Sequence, residues 1–109
     1  MTPGLRSAIE RAFAALRRRG YLTTLAHDTT GVICAGFDAD PDAPGYACVV
    51  AGTAERDVTI DAGAGVGDDD EDAAVALVVQ AALEAEGLVV AWDGTGCMLT
   101  ARLTDGGGE

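Results

Sequence analysis

Apolar residues in the first stretch fall at Leu5, Ile9, Phe13 and Leu16, a spacing that marks one stripe of an amphipathic helix. Thr2 before Pro3 supplies an N-cap and first-turn pair, Ser7 with Glu10 offers a competing capping box, and Gly20 provides the stop. Arg17, Arg18 and Arg19 fill the last turn, where cations complement the negative end of the helix dipole. The pattern then changes. Tyr21 to Ala26 is rich in β-branched and aromatic residues and predicts a strand, followed by a turn over Asp28 to Gly31. Gly31 to Phe37 is a further candidate strand, weakened by its two glycines, and Asp38 to Gly45 (DADPDAPG) predicts a loop. Strands over Tyr46 to Ala51 and Asp57 to Ala62 keep period two at Cys48, Val50, Val58 and Ile60. A second helix from Asp69 to Glu86 places Val75, Val78, Val79, Ala82 and Leu83 on one face, with Gln80 and Glu84 opposite, and Gly87 closes it. Leu88 to Trp92 and Cys97 to Leu103 flank Asp93-Gly94-Thr95-Gly96, a hairpin signal.

Two helices with apolar stripes and strands that follow one another directly predict an α+β fold, in the order α-β-β-(β)-α-β-β. The expected architecture is a two-layer sandwich: an antiparallel sheet of four to six strands with two helices on one face. Leu77 points away from the main stripe of the second helix, which leaves that helix able to touch the first helix or a second subunit. Residues 1–103 form a single domain in this reading, and residues 104–109 (TDGGGE) a disordered tail.

Composition narrows the functional classes. Apolar residues make up 49% of the 109, so the acidic balance does not imply disorder, which requires low hydrophobicity together with high charge. The net charge of −11 is uneven. Five of the seven arginines precede Gly20 and there is no lysine, whereas beyond Gly20 seventeen acids face Arg56 and Arg102, a net of −15. Such a surface repels phosphate backbones and argues against direct nucleic-acid binding. Leu5 to Arg19 lacks the apolar core of a signal peptide, and the longest apolar run, Ala73 to Val79, is too short to cross a bilayer, so a cytoplasmic, membrane-free protein is expected. Cys34, Cys48 and Cys97 are widely spaced and predict reduced thiols in or near strands.

No chemical motif is complete. Gly63, Gly65 and Gly67 lie between a strand and a helix, as in a dinucleotide-binding turn, but their spacing is GxGxG instead of GxGxxG. Asp68, Asp69, Asp70, Glu71 and Asp72 then crowd the helix start, where a pyrophosphate would need bare N–H groups. Asp38, Asp40 and Asp42 mimic the opening of a calcium loop, yet Ala43 stands where glycine is needed and Val49 where a bidentate Glu is needed. His27 is the sole histidine, and no nucleophile signature surrounds any cysteine. The string GLVVAWDGTG (87–96) combines a hairpin turn with Trp92 beside Asp93, an aromatic and an acid of the kind that anchor protein contacts.

The runs AFAALRRRGY, GYACVV with AERDV, and DAAVALVVQAALEAEGLVVAWDG, touching most of residues 11–94, resemble a bacterial family of domains of unknown function that ends in GLxVxWDG. The chain departs from that family where Val50 and Ala51 replace a Cys-rich turn and a His-containing segment, so no metal or redox role is implied. GVICAGFDAD and AWDGTG are similar to segments of the regulator of ribonuclease activity B family, small acidic proteins that bind and inhibit an RNA-degrading endonuclease. That resemblance implies a mode, an acidic module acting on another protein.

The expected function is therefore a non-catalytic protein-binding or regulatory module. Its contact residues would be Asp68, Asp69, Asp70, Glu71 and Asp72 with Trp92 and Asp93, and its partner a basic protein. No catalytic, cofactor or metal site is assigned. Two alternatives are a small enzyme or thiol sensor pairing a cysteine with His27, and a structural homodimer built on the second helix.

Overall fold

A computed structural model describes residues 3–25, 34–50, 57–64, 69–92, 94 and 98–103. Helix α1 (Pro3–Arg18) leads through β1 (Leu22–Thr24) to a short α2 (Cys34–Ala39). Strands β2 (Tyr46–Val49) and β3 (Asp57–Gly63) precede α3 (Asp69–Ala85), and β4 (Leu88–Ala91) and β5 (Met98–Leu103) complete one sheet in the order β1-β2-β3-β5-β4. The expected α+β sandwich is what forms. Because β5 lies between β3 and β4, the β4–β5 hairpin folds back into the gap of a split β-α-β unit.

Each helix forms where its apolar stripe and its stop signal agree. Leu5, Ile9, Phe13 and Leu16 are all buried, joined by Ala8 and Ala12. Helix α1 begins at Pro3, which favours the Thr2-Pro3 start over the Ser7-Glu10 box. It ends in a Schellman motif: Tyr21 N–H donates to Leu16 O at 3.1 Å and Gly20 N–H to Arg17 O at 3.0 Å, with Gly20 at φ 93°. Gly87, at φ 86°, closes α3 in the same left-handed region. Helix α3 buries Val75, Ala76, Val79 and Leu83 against α1 and the sheet, while Leu77 points outward with 57% of its surface exposed.

Three ladders are antiparallel, but β1 pairs with β2 in parallel, Leu22 opposite Tyr46 and Thr24 opposite Cys48. The sheet is thus mixed. Parallel neighbours need a crossover between them, and the segment from Leu25 to Gly45 is long enough to make one. Part of that segment also differs from the strand expected over Gly31 to Phe37: Cys34–Ala39 is helical, and the helix takes in Asp38 and Ala39 from the predicted loop.

The reason for α2 is tertiary. Leu22 and Tyr46 are paired neighbours on the face opposite Thr23 and Ala47, and α2 covers them there. The Phe37 ring meets Tyr46 edge-on with centroids 6.4 Å apart, and a Cβ at Gly36 would lie 3.0 Å from Leu22 Cδ1. Helices therefore lie on both faces, α1 and α3 on one and α2 on the other. Cys48, on the α2 side of β2, is fully buried. The predicted turn at Asp28 to Gly31, most of the Asp93–Gly96 turn and the 104–109 tail lie outside the described residues.

Candidate functional site

The strands β1 and β2 begin, and β3 ends, at one end of the sheet, because Tyr46 opens β2 directly opposite Gly63. Helix α3 starts there too. Its first turn carries Asp69, Asp70, Glu71 and Asp72, where carboxylates offset the positive end of the helix dipole. The four acids are not equivalent. Asp72 is half-buried, and its Oδ1 accepts a hydrogen bond of 2.8 Å from Ala64 N–H, tying the exit of β3 to α3. Gly63 leaves room for this approach, since a Cβ there would sit 2.8 Å from the same oxygen and force the Asp72 side chain to shift. Asp69, Asp70 and Glu71 are exposed. Asp72→Ala is therefore expected to cost about 1–2 kcal/mol, whereas Asp69→Ala changes stability by less than about 0.5 kcal/mol. Urea unfolding of both variants checks this, and equal midpoints would remove the distinction.

A shallow groove of about 260 Å³ opens beside this turn, lined by Tyr21, Pro44, Ala64, Glu71, Ala74, Val75 and Val78. Its walls come from the entries to β1 and β2, the exit of β3 and the first turns of α3. Apart from the Tyr21 hydroxyl and Glu71, its lining side chains are apolar. The guanidinium of Arg19 lies 5.9 Å from the centroid of the Tyr21 ring, a cation–π contact. Arg17, the first of the basic triplet, donates to Thr23 Oγ1 at 2.9 Å and so braces α1 against β1.

Trp92 is half-buried, packs against the core at the end of β4, and does not line the groove. The two strands flanking the predicted hairpin pair antiparallel, Ala91 opposite Thr100 and Leu88 opposite Leu103. Gly94 has φ 88°, the conformation for which a turn glycine is selected. Asp68, Asp93, His27 and Cys97 lie outside the described residues. Of the predicted contact residues, the structure thus places Asp69, Asp70, Glu71 and Asp72 on one turn and Trp92 just past a separate strand, β4. Tyr21, Pro44, Ala64, Ala74, Val75 and Val78 carry no shared motif, because they come from four separate segments that only the fold assembles.

Among the described residues, no three of His, Cys, Asp and Glu are grouped to hold a metal ion. No described helix is long and apolar enough to cross a membrane. No family model matches the chain, and no curated protein and no solved structure matches it either.

Proposed function

We propose that this chain is a non-catalytic protein-binding or regulatory module whose contact surface is the groove with the acid run beside it. One observation carries the reading: Glu71 belongs at once to the acid run and to the wall of an otherwise apolar groove. Protein interfaces combine an apolar centre with a polar rim, and this end of the sheet supplies both within one turn of α3. The net charge of −11 steers a basic partner toward it, setting the association rate and its salt dependence. Asp68 extends the run in sequence, and Trp92, which follows the outer strand β4, forms a second contact with Asp93 next to it in sequence. The resemblance to the regulator of ribonuclease activity B family points to the same mode of action.

The test is capture by the immobilised chain at low salt. A specific partner is expected to bind, to elute as the salt rises through a few tenths molar, and to be lost on combining Asp69→Arg, Asp70→Arg and Glu71→Arg. Asp72 is left in place because it secures β3. Retention of the partner by the triple variant, or recovery of no partner by the unmodified chain, defeats the reading.

A further inference from the structure

We infer that the groove seats one apolar side chain from a basic amphipathic segment of a second, different protein; this rests on the protein-binding function proposed above and specifies its partner's chemistry. Size is the first argument. Sites for small molecules enclose roughly 300–1,000 Å³, and this groove of about 260 Å³ is smaller and open to solvent. It suits an anchoring side chain better than a cofactor. The apolar surface continues beyond the groove. Ala74 and Val78 line it, and Leu77, exposed over 57% of its surface, lies between them in sequence and points further out, with exposed Ala81 one turn on. A partner with two apolar residues one helical turn apart can fill the groove and cover Leu77 together.

Charge decides what flanks that anchor. Asp69, Asp70 and Glu71 belong to the α3 wall of the groove and Arg19 lies against Tyr21 of another wall, so Lys or Arg is favoured on the α3 side of the anchor. A second copy of the chain does not meet this requirement. Two α3 helices packed antiparallel would bring Glu84 of each toward the acid run of the other, and packed in parallel they would bring the two acid runs together. Among the described residues α1 is the one basic helix, and its apolar face is in the core. The segment is therefore assigned to another protein.

A fluorescein-labelled peptide of leucine and lysine at helical spacing is the probe, measured by anisotropy beside a scrambled peptide of the same composition and a version with Glu for Lys. The amphipathic basic peptide is expected to bind at least about tenfold more tightly than either control. Ala74→Gln and Leu77→Gln, both exposed positions, should each weaken it about fivefold, and Glu71→Arg about tenfold. Asp57→Arg makes the same charge change at the far end of β3, on the opposite sheet face, and should stay within about twofold. Circular dichroism confirms that each variant is folded. Failure of the amphipathic peptide to bind, equal binding of the scrambled peptide, or indifference to both Gln variants overturns the inference. A captured partner that responds to the acid-run reversal but not to Ala74→Gln would also overturn it, while leaving the protein-binding reading intact. A dimer in sedimentation that Leu77→Gln dissociates would give the patch to a second copy and equally overturn it.

Discussion

Gly45→Ala is expected to destabilise the protein by about 2–3 kcal/mol, lowering the thermal midpoint by roughly 10 °C or more. A Cβ at this buried position would lie 2.7 Å from the Gly63 carbonyl oxygen and 2.7 and 2.8 Å from the two Val75 methyl carbons. The valine can rotate or shift. The carbonyl cannot, because Gly63 sits opposite Tyr46 at the start of the β2–β3 ladder and leads into the Ala64 N–H held by Asp72. Gly45 O also accepts a 3.0 Å hydrogen bond from Leu22 N–H, so a displaced Gly45 disturbs the first pairing of β1 with β2 as well. Adding Val75→Ala relieves only the side-chain half of the clash and should recover only part of the loss. Urea denaturation of the single and double variants measures both steps. A midpoint unchanged by Gly45→Ala would show that the sheet end is not closely packed. The same substitution tests the site, since Gly45 stands between Pro44 and the Val75 wall of the groove.

Phe13→Ala should cost more, about 3–5 kcal/mol, a large share of the 5–15 kcal/mol that holds a typical domain together. Phe13 is 1% exposed on the stripe that α1 buries with Leu5, Ile9 and Leu16, and its loss leaves a cavity that the packed α1 face cannot readily close. The informative comparison is Leu77→Ala. Both residues are large apolar groups on helices, yet Leu77 is 57% exposed, and its truncation should change stability by less than about 0.5 kcal/mol. Calorimetry should show the Phe13 variant melting roughly 15 °C or more below the unmodified chain, with the Leu77 variant near it. Comparable losses at the two positions would mean that α3 is packed on its outward side too.

The helices α1 and α3 are the clearest features of the sequence, because a three-to-four residue period over four turns has no competing reading and glycine stops follow both. Leu5, Ile9, Phe13 and Leu16, and Val75, Val79 and Leu83, are buried as that period requires. Strand β3 and the β4–β5 hairpin were similarly legible from period two and from the DG turn, but β2 buries Ala47, Cys48 and Val49 in succession, and it turns Ala47 and Val49 to the main core instead of the Cys48 and Val50 that the alternation marked. Helix α2 was not legible. Its six residues are too few to show a period, and its position depends on Gly36 approaching Leu22 and Phe37 meeting Tyr46, contacts between residues far apart in the chain. The parallel pairing of β1 was hidden for a related reason: side-chain alternation is the same in both strand directions, so it cannot reveal which way a neighbour runs.

Local pattern alone determined the helix ends, the hairpin and the excess of carboxylates at the start of α3, since each depends on residues within a few positions of one another. It also showed Leu77 facing away from the stripe. Only the tertiary structure separated Asp72, which secures β3, from the exposed Asp69, Asp70 and Glu71, and only it joined Tyr21, Pro44, Ala64 and α3 around one groove. Such a groove is made by the approach of distant segments, and the spacing of residues along a chain holds no record of that approach.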